Sequence, residues 1–375
     1  MTVKDVKKVN IVYFVFILLL IGTRIAAYFG FFDLFGDFSD GMFSIIVQIL
    51  FMAFLPIFGF SLLKKQAVGK TFKDFKLKKT NWKVVGYSLL LGLLIFVFNM
   101  AVSSTFNYII SLFGYETTTS FNEEAYTGVV NLIIMLLTTA VLPGICEEIM
   151  HRGMILQSYK TFGIKNAIVI SSLLFGLMHL NISQFFYATI IGFIIAIVDL
   201  SSDNISPGII IHFVNNALSV YFTFAYVNNW VGGTTYAVLT SLTDLFGGVF
   251  GFIFSFLVMC LVLLGIIILI SKVYGASRGN EFKAKANRMF LKRFFGIDTK
   301  QVRRRIIIDD FGFEHIVEET PPPEEQESLI DQTIELLNDD DVIVRKISLT
   351  ENIFLIGVYV MAGLTTLFTF IWGIL

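Results

Sequence analysis

Glu147 and Glu148 stand side by side in a stretch that otherwise reads as membrane-spanning, with Arg152 four residues after the second. His179 and His212 follow in later apolar segments, and the chain has only 4 histidines in all. Each charge near the middle of a bilayer costs roughly 3 kcal/mol even on the mildest insertion scales. Plain membrane packing calls for no such pair. Carboxylates and imidazoles gathered in one buried place exchange protons, so the chemistry suggested is general acid–base work inside a bilayer.

The first element runs from Ala140 to Gly153. Pro143 and Gly144 loosen the helix just ahead of the carboxylates and free backbone groups that need polar partners. Glu148 and Arg152 are spaced i,i+4, share a face and can pair, which would keep Glu148 ionised. Glu147 points about 100° away and has no fixed cation; His151 is its i+4 neighbour. One carboxylate is thus engaged and the other free to take a proton. A charge cluster at a helix end by the membrane surface reads equally well from this element alone. The second element is Phe175 to His179, where ring and imidazole stack at i,i+4; a lone histidine on an apolar helix also serves as a packing residue. The third is Ser206 to Asn216. Ser206 before Pro207 predicts an N-cap and first-turn pair, which sets His212 about 10 Å into the membrane at 1.5 Å per residue. Asn216 projects from the same face, one turn on. Two such groups suit an oxyanion hole, a metal or water site, or a polar clasp between helices.

The elements that must position these residues follow from composition. The chain is 55% hydrophobic and 15% charged, with 41 phenylalanines and mean hydropathy +0.77, well outside soluble-domain usage. Cys146 and Cys260 lie far apart without CxxC or CxxH spacing, so neither a disulfide scaffold nor a thiolate zinc site is indicated. Apolar runs long enough to cross about 30 Å of hydrocarbon fall near 9–29, 42–63, 83–113, 127–160, 205–227, 247–271 and 352–375. The stretch 166–200, broken at Asn181–Gln184, predicts a hairpin of two short helices. The fold class is therefore all-α: a polytopic membrane bundle of about eight to nine transmembrane helices with a cytosolic C-proximal segment. Lys64, Lys65, Lys70, Lys73, Lys76, Lys78, Lys79 and Lys83 against Asp74 place the 64–83 linker and the N-terminus in the cytoplasm, with the acidic loops outside. Arg24, near the outer end of the first span, is expected to snorkel. The four parts are 1–83 (N-terminal spans and basic loop), 84–271 (the core bearing the motifs), 272–351 (cytosolic, basic then acidic) and 352–375 (a last span). From Glu281 to Arg305, basic residues interleave with phenylalanines. That composition fits an interfacial helix on anionic inner-leaflet lipids or a solvated linker; residues 325–338 suggest a further short helix. Depth raises one tension. Glu147 and His212 both fall toward the cytoplasmic side, whereas His179 lies about 20 Å up; a tilted or shallow hairpin would close the gap.

EExxxR, FxxxH and HxxxN in this order resemble the signature of the CPBP family of intramembrane proteases, which includes the type II CAAX prenyl endopeptidases and the Abi proteins. The resemblance covers about residues 84–224. It implies that Glu147 is the general base that activates water with His179 beside it. His212 and Asn216 would stabilise the oxyanion or help bind a metal, and Glu148 and Arg152 would support them. Glu147, His179 and His212 match a zinc site in donor type, yet a glutamate–histidine pair could activate water unaided. The implied function is hydrolysis of a membrane-associated peptide or protein at the cell membrane, of the CAAX or bacteriocin-precursor kind, with no nucleic-acid partner. A proton-coupled transporter and a catalytically silent scaffold or self-immunity protein are the alternatives. No internal duplication of the transporter kind is visible.

Overall fold

The computed structural model describes residues 3–115, 123–240, 248–278, 303–308, 314–319 and 349–372. The helices are α1 (Val3–Tyr28), α2 (Ser39–Lys64), α3 (Val68–Asp74), α4 (Trp82–Ser111), α5 (Val129–Phe162), α6 (Ile164–Leu177), α7 (Ile182–Ser202), α8 (Ser206–Val227), α9 (Gly233–Thr240), α10 (Gly248–Arg278) and α11 (Leu349–Trp372). Among the described residues, eight of these are long and apolar enough to cross a membrane. The predicted 166–200 hairpin forms, but unequally. α6 has 14 residues, about 21 Å of helix against about 30 Å of hydrocarbon, whereas α7 has 21 and is long enough by itself. The break between them falls where the sequence placed it. Leu180 takes φ +50, and the Asn181 side chain then accepts the Ser183 and Gln184 N–H groups to start α7.

Two predicted local features turn out differently. Ser206 does not cap α8: its hydroxyl donates to the Lys78 carbonyl at 2.7 Å. The N–H groups at the start of α8 go instead to Asn204 Oδ1, from Ser206, and to Asp199 Oδ1, from Gly208. Side chains outside α8 thus replace its own cap. Arg303–Arg305 belong to an antiparallel hairpin, β1 (Arg303–Ile308) with β2 (Glu314–Glu319), in which Arg303 faces Glu319 and Arg304 faces Glu318. They are therefore not the end of an amphipathic helix, and β2 holds His315. The rest of that expected helix, 281–302, and the one over 325–338 lie outside the described residues.

Buried apolar side chains form two clusters. One joins α1, α2, α5, α6 and α11 through residues such as Phe16, Met52, Met150, Met154, Phe175 and Val358. The other joins α4, α7, α8 and α10 through Leu91, Ile95, Ile195, Ile211 and Ile266. α5 and α8 pack directly against each other, so the Glu pair on one and His212 on the other meet between the two cores. At one end, Lys64 pairs with Asp5 and Asp74, and Lys76 and Lys78 pair with Asp203. Partial burial works against the Asp203 charge, but the bonds from Lys78 and Lys76 win and hold its carboxyl below the usual range.

Glycines set the spacing of α6 and α7. A Cβ on Gly176 would collide with the Thr189 hydroxyl and sit 2.7 Å from the Phe185 carbonyl, and one on Gly192 would meet the Ser172 backbone at 3.2 Å. Small residues at such points let membrane helices approach closely. Gly176→Ala is expected to destabilise the protein by about 1–3 kcal/mol through overpacking, read as a lower thermal midpoint in detergent. An unchanged midpoint would show that the two helices have room to part.

Candidate active site

Glu147 lies on α5 between two runs of wider, π-type turns, Leu136–Val141 and Ile149–Leu156. Such turns leave backbone carbonyls free for side chains and recur at functional sites. Two are used here. The Glu147 carbonyl receives His151 Nδ1 at 2.9 Å, and the Thr139 carbonyl receives Asn216 Nδ2 at 2.9 Å. His151 is fully buried and serves the Glu147 backbone, not its carboxylate.

The two carboxylates divide as their spacing predicted. Glu148 is fully buried, with Arg152 Nε 3.1 Å from its Oε2 and His212 Nδ1 2.9 Å from its Oε1. A carboxylate kept ionised by Arg152 only accepts hydrogen bonds, so His212 Nδ1 carries the hydrogen and donates it. This fixes the imidazole and turns Nε2 the other way, to 3.9 Å from Glu147 Oε2. Glu147 Oε1 accepts from Gln48 Nε2 of α2 at 2.8 Å. Its Oε2 is buried and has no hydrogen bond among the described residues. One oxygen of Glu147 is held, and the other faces His212 across a gap that one water-sized group could bridge.

Phe175 gathers the rest. Its ring stands edge-on to His151, His179 and His212 at centroid distances of 5.2, 5.6 and 5.6 Å, and the Arg152 guanidinium lies over it at 4.3 Å. Arg152 also donates through Nη2 to the Gly192 carbonyl at 3.3 Å. The FxxxH motif therefore reaches the site through its phenylalanine. His179 packs edge-on against that ring, and its imidazole makes no hydrogen bond among the described residues; His212 is the imidazole that faces Glu147, at 3.9 Å. Asn216, on the His212 face, spends an amide hydrogen on Thr139. Its Oδ1 accepts from Asn215 at 2.9 Å.

Glu147, His179 and His212 do not converge as a metal set: among the described residues, no group of three or more His, Cys, Asp or Glu side chains is arranged to hold an ion.

Two contributors were passed over in the sequence. Gln48 is the only strongly polar side chain between Ile45 and Phe54, and an amide in such a run was a readable signal. Asp199 is a fully buried acid on α7 that accepts the Gly208 N–H at 2.8 Å, one turn before His212, within electrostatic reach of Glu148 and Arg152. It stood out equally in its apolar surroundings. Gln48→Leu is expected to lower kcat about tenfold by releasing Glu147 Oε1, the size of one charge-assisted hydrogen bond. A parental kcat in this variant would remove Gln48 from the site.

Compared with known proteins, residues 129–218 match the family described as type II CAAX prenyl endopeptidase Rce1-like. No curated protein and no solved structure matches the chain. The matched segment runs from the start of α5 into α8 and holds all three motifs. The chain is a multi-pass membrane protein in which residues 129–218 are similar to the type II CAAX prenyl endopeptidase Rce1-like family.

Proposed function

We propose that the protein is an intramembrane endopeptidase in which Glu147 activates water against a peptide bond near the lipid-anchored end of its substrate. The observation that carries this reading is the 3.9 Å separation of Glu147 Oε2 and His212 Nε2, with Glu148 bonded behind the imidazole. A water bridging the two loses a proton to Glu147 as its oxygen attacks the scissile carbonyl. An Nε2–H of His212 donated to the oxyanion would stabilise it, and Glu147 returns its proton to the leaving amine. This deepens the reading from the motifs in one respect. Glu148 positions the oxyanion donor, the part an orienting acid plays in hydrolytic triads.

His179 acts through Phe175, and Asn216 holds α8 against the wide turn at Thr139. The basic end formed by Lys64, Lys76 and Lys78 with the N-terminus faces the cytosol in this reading, as the lysine excess favours. Anionic lipids there would meet the basic stretch after α10.

The test uses the purified full chain with a farnesylated peptide ending in a CAAX tetrapeptide, and with its unprenylated twin. Cleavage of the prenylated peptide, at least tenfold faster than of its twin, is expected. Failure to cleave either contradicts the proposal. Activity is also expected to stay within twofold after treatment with 1,10-phenanthroline. A loss restored by added zinc would contradict the metal-free mechanism while leaving the peptidase assignment standing.

A further inference from the structure

We propose that α1, which lies outside the matched segment, is a working part of the active site, with Tyr13 and Arg24 as positioning residues. The proposal rests on the peptidase reading above. Tyr13 and Arg24 are 11 residues apart, about three turns, so they project from one face of α1. Both reach carbonyls of the FxxxH stretch. The Tyr13 hydroxyl donates to the Leu174 carbonyl at 2.8 Å, and Arg24 Nη2 donates to the His179 carbonyl at 3.1 Å.

The Tyr13 end continues to the catalytic turn. Its oxygen lies 3.1 Å from His151 Nε2, and His151 Nδ1 lies 2.9 Å from the Glu147 carbonyl. A carbonyl only accepts, so Nδ1 carries the imidazole hydrogen and Nε2 is an acceptor that shares the single Tyr13 hydroxyl hydrogen with the Leu174 carbonyl. One phenol thus connects α6 with the backbone of Glu147. Tyr13, His151 and Leu174 are all buried, where an unpaired polar group is costly. A phenylalanine would fill the same space in α1 without making either bond.

The Arg24 end accounts for a feature expected instead to be lipid-directed. The guanidinium does not simply snorkel; it takes up a carbonyl at the end of α6, where helix carbonyls lack partners within the helix. The next residue, Leu180, sits buried at φ +50, a conformation a leucine side chain disfavours and one that persists where the surroundings enforce it. α1 itself is well anchored: Val9, Val12, Phe16, Ile17 and Leu20 are buried against α2 and α11. It can therefore act as a strut with two fixed points, Leu174 on α6 and His179 just past its end, which flank Phe175 in sequence.

The test compares Tyr13→Phe, Arg24→Met, Arg24→Lys and Glu147→Gln in the full-length chain, with the farnesylated CAAX peptide as probe. Tyr13→Phe and Arg24→Met are each expected to lower kcat about tenfold while KM stays within twofold and the thermal midpoint stays close to the parent's. Arg24→Lys, which keeps a donor, should recover to within threefold. Parental kcat in both Tyr13→Phe and Arg24→Met would overturn the proposal, as would a rise in KM alone. If Tyr13→Phe does not elute as a folded species, Arg24→Met decides. Should Glu147→Gln remain active, the peptidase reading fails and this proposal with it; a dead Glu147→Gln beside parental Tyr13→Phe and Arg24→Met sinks this proposal alone.

Discussion

Glu147→Gln is expected to abolish peptide cleavage, by at least ~1,000-fold, while the protein remains folded and inserted; general-base catalysis contributes this much where the base has no substitute. The amide keeps the shape of the carboxylate and still offers an oxygen to Gln48 Nε2, now 2.8 Å from Oε1. It cannot take a proton from water. Oε2 has no hydrogen bond among the described residues, so its replacement by an amide nitrogen breaks no internal bond. The loss should therefore fall on kcat, with the thermal midpoint unchanged or raised, since a buried charge has been removed. His212 does not take over as base in this arrangement. Its Nδ1 is committed to Glu148 at 2.9 Å, and Nε2 is needed by the oxyanion. A variant with a tenth or more of parental kcat would show that the base lies elsewhere.

Arg152→Met carries the largest expected effect on stability, about 3–5 kcal/mol, the usual result of breaking a buried ion pair from one side. Arg152 is fully buried and meets three partners: Glu148 Oε2 at 3.1 Å, the Gly192 carbonyl at 3.3 Å and the face of Phe175 at 4.3 Å. Methionine would fill part of the space but leave Glu148 charged beside His212, with Asp199 also in reach. Lysine should recover only part of the loss, because an ammonium does not lie flat on a ring while bonding in two directions. Denaturation in mixed micelles provides the measurement. Adding Glu148→Gln to Arg152→Met should restore a substantial part of the stability, since the stranded charge is then gone, without restoring activity. A double variant no more stable than the single would mean that Arg152 acts through packing alone.

The bundle and the Glu148–Arg152 pair were legible because each rests on a period or a forbidden placement. Twenty apolar residues in a row have few homes besides a bilayer, and i,i+4 opposite charges in such a run have one obvious use. The meeting of Glu147 with His212 could be anticipated from depth and motif order. His179 follows the end of the short α6, and the Phe175 ring beside it is what meets His151, His212 and Arg152. Ser206 and Arg24 were read by local rules, as a cap and as a snorkelling cation. Both found partners far away in sequence, Lys78 and His179, which no local rule sees. Tyr13 gave no signal at all, since a tyrosine in an apolar run is ordinary. Gln48 and Asp199 did give one, as polar groups where hydrocarbon was expected.

The central claim is that Glu147, opposite His212, hydrolyses peptide bonds of a membrane-associated substrate. Its most direct test is mass spectrometry of peptide termini in membranes from cells carrying either the parent chain or Glu147→Gln at equal abundance. The account predicts one or more membrane-associated proteins that are trimmed near a terminus in the parent and accumulate untrimmed in the variant. Identical termini in both would contradict it.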